Sequence, residues 1–296
     1  MMRMAPLLFL LSVGPAMTAW CEASDVSLET RDLVVSDATG RLSNEQLQRL
    51  TDHAQKTLDR VLAFWSTDPG TGRFGKIRVV FDEPRRDVYS SIFYWEKKGD
   101  QRTRVVRVFG TEDLPQMMAH KLASAVFPQE DKLIRNLMGI LTEAKVGNTL
   151  TFPMCGFRSD EWVLALRETK TYLPLNELGP DHESWGMKDS GGGKLSIHDR
   201  AKQHKAYAET GSFGNYLYQT YGVNKIKQFQ RRSHERVRPW QEVFGVGMQE
   251  LEANWLKSLP VDGKSKPEDV ATITKLFERN PGTACADAQN LSSGRP

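Results

Sequence analysis

The chain has 296 residues, 39% hydrophobic and 26% charged, which excludes a disordered chain and a polytopic membrane protein. The length allows one large domain or two of ordinary size. Forty Lys and Arg against 37 Asp and Glu leave a charge of +3, too small to argue for nucleic acid, and no zinc-finger, RNP or basic-zipper pattern adds to it. The basic stretch at 231–238 reads as a solvated surface.

Residues 1–23 read as an export leader. Arg3 supplies the positive charge, an apolar run spans 7–13, and small residues follow at Ala16, Ala19 and Ala23. The run is too short for a bilayer span, and no later stretch qualifies. Localisation is therefore expected to be periplasmic or secreted. Removal of the leader takes Cys21 with it and leaves Cys155 and Cys285. In an oxidising compartment such a pair is most simply a disulfide, with two free buried thiols as the alternative.

The remaining chain divides into an N-terminal segment at 24–42, a main domain at 43–260 and a polar extension at 261–296, expected to be loosely attached. Ser43 with Gln46 fits a capping box, and Leu47, Leu50, Ala54, Leu58, Val61, Leu62 and Trp65 form a helical stripe that Asp68-Pro69-Gly70 ends. Alternation at 76–81 predicts a strand, and 103–109 a second. Two helices follow at 114–127 and 131–146, bounded by Pro128 and Gly147. Residues 179–194, with three consecutive glycines at 191–193, read as a flexible loop. Helices resume at 207–221, capped by Gly222, and at 224–231 and 248–259. Strands early and helices late indicate α+β.

The helix at 114–127 carries His120 and Ser124 one turn apart, with Lys121 turned towards its apolar side. A lysine there must snorkel, find a carboxylate or lose its charge. The run Ala119-His120-Lys121-Leu122-Ala123-Ser124 resembles the His-Glu-x-x-His helix of gluzincin zinc peptidases, particularly bacterial peptidase-MA-like domains. Ile140-Leu141-Thr142-Glu143-Ala144 resembles their second-helix motif, and 18 residues separate Ser124 from Glu143, the family's interval. Stretches at 206–222 and 244–256 resemble downstream parts of the same family. The resemblance covers roughly 40–260 and implies a zincin-like α+β fold, with a small N-terminal mixed sheet, active-site-type helices and a mainly helical C-terminal part.

In that family two histidines and a glutamate hold zinc, and the glutamate within the motif accepts the proton of bound water. Carried over, His120 and Glu143 keep the first and third ligand positions, Ser124 replaces the second histidine and Lys121 replaces the base. Hydroxyl is a poor zinc ligand beside imidazole, and an ammonium opposes a nearby cation. The resemblance therefore implies no metal ligands, no cofactor and no catalytic residue. Lys121 is expected to take the metal's place and pair with Glu143; the plainer alternative is an exposed lysine and a glutamate capping a local donor.

His182, His198 and His204 lack compact ligand spacing and read as surface histidines. Tyr207 is expected in the core and Glu209 in solvent. Three functions stay open. The first is an exported, catalytically inactive domain binding a peptide or an envelope protein through the former cleft, with 103–109 as the edge strand for peptide addition. The second is a hydrolase whose nonstandard zinc site uses His120, Glu143 and a residue after Gly179. The third is a purely structural envelope protein with a filled cleft.

Overall fold

The computed structural model describes residues 26–84, 91–111, 117–189, 195–234, 237–259 and 265–293. The expected leader lies outside them. A short strand β1 (Ser27–Glu29) turns into β2 (Leu33–Asp37), so residues assigned to the N-terminal segment belong to the main sheet. Helix α1 (Asn44–Trp65) follows, with Ser43 and Gln46 forming the capping box. Its apolar stripe is buried, and Trp65 Nε1 donates to Thr142 Oγ1 at 2.7 Å. A one-turn helix, α2 (Thr71–Phe74), leads into β3 (Ile77–Asp82); β4 (Ser91–Lys98) and β5 (Gln101–Phe109) then form a hairpin around Gly99.

The sheet order is β1-β2-β3-β5-β4. Strands β2, β3 and β5 run parallel; β1 and β4 run antiparallel to their neighbours. The strand at 103–109 is thus internal, and the edge belongs to β4. Composition explains this correction. Val105, Val106 and Val108 are all buried, as in a strand covered on both faces, and Arg104 is buried too, its guanidinium donating to the carbonyls of Pro69, Gly75 and Ala125. Strand β4 is mostly half-buried and ends in exposed Lys97 and Lys98, a common protection of an edge.

Helices α3 (Met118–Val126) and α4 (Lys132–Val146) pack against each other beneath this sheet. Asp131 caps α4 by accepting the N–H groups of Leu133 and Ile134, and the Arg238 guanidinium holds the same carboxylate at 2.7 Å. Helix α5 (Ser159–Glu168) was not evident from periodicity. A two-stranded ribbon, β6 (Met187–Asp189) with β7 (Leu195–Ile197), falls where a flexible loop was expected. Fully buried Trp185 and Met187 anchor it; the triple glycine lies outside the described residues.

Helix α6 (Arg200–Arg232) begins earlier than its apolar pattern suggests and breaks at Gly222, whose φ of 77° leaves the helical region. Helices α7 (Trp240–Phe244) and α8 (Met248–Ser258) complete the main core. The expected loose extension instead contains α9 (Pro267–Arg279) and α10 (Ala284–Ser293). Val270, Ile273, Leu276 and Phe277 of α9 enter a second apolar cluster with Phe157, Trp162 and Leu166. Cys155 and Cys285 are disulfide-bonded, with Cα atoms 5.4 Å apart, and tie α10 to that cluster. The architecture is mixed α+β, with a small N-terminal mixed sheet and a helical C-terminal part. No helix among the described residues is long and apolar enough to cross a membrane.

Candidate functional site

Met117 enters α3 with a left-handed φ of 56° and supplies no side-chain cap. The first N–H groups of a helix have no partner within it, so they need one from elsewhere. Glu143 provides it from α4. Its Oε2 accepts the His120 N–H at 2.8 Å, and the Ala119 N–H lies close enough to favour the charged carboxylate. Oε1 accepts the Asn148 N–H at 2.8 Å. Burial raises the Glu143 pKa, and these donors, followed by Lys121 at longer range, oppose the rise.

His120 points elsewhere. Its ring is fully buried, stacks on Tyr207 at 6.3 Å between centroids and lies against Gly139. A Cβ at 139 would sit 2.5 Å from the ring Cδ2 and 2.6 Å from Nε2. Burial holds the imidazole pKa well below its ordinary value, and the charges of Lys121, Lys132 and Arg135 lower it further. Asn136 approaches the ring, yet neither ring nitrogen reaches hydrogen-bond geometry with a described residue.

The Glu143 carboxyl group occupies the space a side chain at Gly147 would fill. Gly139 and Gly147 are eight residues apart on and just after α4, roughly 12 Å along the helix. Imidazole and carboxylate are therefore directed to different levels of α4. Zinc needs its donors at about 2.0–2.2 Å each, and these two groups cannot share one ion in this arrangement. Ser124 adds no ligand, since its hydroxyl donates to the His120 carbonyl at 3.0 Å.

Lys121 is buried, 8% exposed, contrary to the plainer expectation of a solvated lysine. Lys121 and Glu143 attract each other through space, while the hydrogen bonds of the Glu143 oxygens among the described residues are with backbone N–H groups. Burial lowers the lysine pKa to about 7; repulsion from Arg135 adds to the fall and Glu143 opposes it. Lys121 instead lines a cavity of about 60 Å³ at the N-terminal end of α4. Ser124, Lys132, Arg135, Asn136 and Tyr207 share that lining, and Phe93 of β4 and Met187 of β6 help to close it. Lys132 Nζ donates to the Tyr207 hydroxyl at 3.4 Å and lies over the Trp185 ring at 5.1 Å. Glu143 borders a different, open hollow of about 830 Å³ beside α1.

Of the expected site residues, the fold thus brings His120, Lys121 and Ser124 into one neighbourhood and turns the Glu143 carboxylate away. Lys132, Arg135, Asn136 and Gly139 were not singled out from sequence, although 132, 136, 139 and 143 follow one face of α4 at helical spacing. Two other expectations are corrected. His204 is buried, with Nε2 3.0 Å from the Pro153 carbonyl and 3.9 Å from Cys155 Sγ, and burial lowers its pKa to about 4. Glu209 is buried as well; it accepts the Leu173 N–H and its pKa is raised by burial. Tyr207 is a core residue, 1% exposed. Among the described residues, the only trio of His, Cys, Asp or Glu close enough for one ion is Cys155, His204 and Cys285, and its two sulfurs are bonded to each other.

No protein-family model matches the chain, and no curated protein matches its sequence.

Proposed function

We propose that the chain is an exported, zincin-like domain that does not carry out metal-dependent hydrolysis and that recognises an extended peptide, or an extended segment of an envelope protein, by strand addition at β4. The observation that carries the non-catalytic half is the divergence of His120 and Glu143 along α4, with an amine where the family places its base. The order β3-β5-β4, with an antiparallel edge beside the helix bearing His120, supports the zincin-like reading. The Cys155–Cys285 bond supports an oxidising compartment.

Recognition is assigned to the edge and not to the former cleft because the space beside Lys121 is too small for a peptide side chain of ordinary size. Strand β4 pairs on one side with β5 and has no second strand among the described residues. Its main-chain groups can extend the sheet, and the alternating side chains of the added strand supply selectivity. The same closed cavity favours, as a second reading, a purely structural envelope protein.

Metal analysis of chelator-free protein, assays on unfolded protein substrates and hydrogen exchange with a peptide library test the proposal together. Substoichiometric zinc, no hydrolysis and peptide-induced protection confined to residues 92–96 are expected. Stoichiometric zinc lost in His120→Ala sinks the non-catalytic assignment. Absence of any protection at β4 leaves the structural reading in its place.

A further inference from the structure

Cys155, His204 and Cys285 take no part in the site around His120 or in peptide addition at β4. They come from the chain between α4 and α5, from α6 and from α10, and their ligand atoms all lie within 4.8 Å of one another. Cys155 is buried, and its N–H donates to the Thr151 carbonyl at 2.8 Å, which fixes the position of its sulfur. The buried His204 ring is walled by Trp162, Phe152 and Phe277, at 4.3, 5.5 and 5.9 Å between centroids. In the oxidised chain its Nε2 stands 3.9 Å from Cys155 Sγ and 3.0 Å from the Pro153 carbonyl oxygen.

We infer that reduction of the Cys155–Cys285 bond turns this trio into a binding site for one divalent ion of the zinc class, ligated by both sulfurs and by His204 Nε2. An external dithiol supplies the two electrons. It exchanges with the protein disulfide, departs as its own disulfide and leaves two protein thiols. The ion then forms two metal–sulfur bonds and displaces both thiol protons to solvent. Thiolate and imidazole together suit zinc and not magnesium or calcium, which prefer oxygen ligands. The spacing suits it as well. Bonds of about 2.3 Å to sulfur and about 2.0 Å to nitrogen hold those atoms about 3.5 Å apart at a tetrahedral centre. Cys155 Sγ and His204 Nε2 are already 3.9 Å apart before any ion is bound.

Charge favours a divalent ion here. Two thiolates cancel its charge, so the centre is neutral among the aromatic rings, whereas a monovalent ion would leave a buried negative charge. Burial keeps the imidazole neutral, the form that ligates. With the ring hydrogen on Nδ1, the Nε2 lone pair and the Pro153 carbonyl face each other, and an ion between them takes the place of that hydrogen. The carbonyl is thereby the fourth donor. Such a centre ties Cys285 to Cys155 and to α6 once the sulfurs are no longer bonded, and so keeps α9 and α10 docked on the reduced chain. The trio shares no residue with the His120 site or with β4, so this assignment and the proposed function can fail separately.

Zinc titration of the full chain against a chromophoric chelator tests the inference, with Cys21→Ser in every sample so that only two cysteines remain. The chain is reduced by a phosphine, desalted without oxygen and compared with its oxidised form. One zinc per reduced chain and none per oxidised chain are expected. The zinc-loaded reduced chain should resist limited proteolysis of α9 and α10 as the oxidised chain does. His204→Phe should weaken uptake about tenfold or more, and the exposed His234→Gln should leave it unchanged. Should His204→Phe fail to fold, the unsubstituted ring decides: zinc must shift its Nε2 nitrogen resonance, and an unmoved resonance overturns the assignment. No uptake by the reduced chain, or uptake indifferent to His204→Phe, rules the site out. Zinc-loaded reduced chain cut as readily as metal-free reduced chain overturns the docking role.

Discussion

Glu143 caps the helix that carries His120: its Oε2 accepts the His120 N–H at 2.8 Å while its Oε1 holds Asn148 just beyond the end of α4. A buried carboxylate thus serves as a helix cap, joining α3, α4 and the following turn. Removing it leaves buried backbone donors unmet. Glu143→Ala is expected to lower stability by about 2–4 kcal/mol, from lost bonds to a charged acceptor and loss of the cap. Urea unfolding measures this, and Glu143→Gln, which keeps an acceptor oxygen, should recover part of it. Zinc content should be the same in all three proteins.

The close approach of α3 and α4 depends on the missing side chain at Gly139. A methyl group there meets the fully buried His120 ring at 2.5–2.7 Å. Gly139→Ala is therefore expected to destabilise by about 1–3 kcal/mol, even though alanine is the better helix former by about 1 kcal/mol. The sign should reverse once the ring is gone. In a His120→Ala background the same substitution should be neutral or stabilising. A double-mutant cycle in urea reads this coupling directly; additive effects would show that ring and glycine do not touch.

The pH dependence of stability should reveal the buried lysine. Lys121 has its pKa lowered to about 7 in the folded chain, against 10.5 for the ordinary group. Between those values the unfolded chain binds more protons than the folded one, so stability rises with pH across this window. Below about pH 7 the charged amine is buried and its penalty is fully present; above about 10.5 both states are neutral. Lys121→Met should stabilise at neutral pH by about 1–4 kcal/mol and flatten the rise. Some slope must persist, because Lys132 is lowered in the same sense. Equal slopes in wild type and variant would show that Lys121 reaches solvent.

Much of this frame is legible from residue patterns. The capping box at Ser43 and the stripe of α1 give that helix its start and its buried face, and Asp131 and Gly147 bound α4. Less legible is which strand forms the edge. Residues 103–109 carry apolar side chains towards both faces, which is an inner-strand signature, while the aromatic run of β4 ends in lysines. The site is only half legible. His120, Lys121 and Ser124 share a short helix, so their neighbourhood follows from one periodicity. The direction of Glu143 depends on two glycines and on the uncapped start of another helix, which no local pattern encodes. Glu209 and His204 look like surface residues because α6 is polar in composition; Trp162 of α5 and Phe277 of α9 enclose the His204 ring, and the Leu173 backbone N–H meets the buried Glu209 carboxylate. Long-range docking of that kind is set by tertiary contact and not by propensity.

The disulfide makes the last element of the fold separable. Cys155 and Cys285 enclose a sequence separation of 130 residues, for which chain entropy gives a stabilisation of about 5 kcal/mol. That figure applies only if the whole chain unfolds in one step. Helices α9 and α10 make their apolar contacts within the second cluster, chiefly with α5, and the main core does not include them. Reduction should therefore release α9–α10 first, at lower urea than the main core, and the global transition should shift by less than the full entropic value. Limited proteolysis of reduced protein should remove α9 and α10 and leave the main core intact, whereas oxidised protein should resist. His204 reports the same event. Its imidazole is buried between Trp162 and Phe277, with a pKa lowered to about 4, so its stabilising effect is complete above about pH 6.5 and is lost as pH falls towards 4. Once α9 leaves, the ring should titrate near its ordinary value. Imidazole proton shifts measured by NMR in oxidised and reduced protein separate the two states; an unchanged titration after reduction would show that the tail stays docked without its covalent tether.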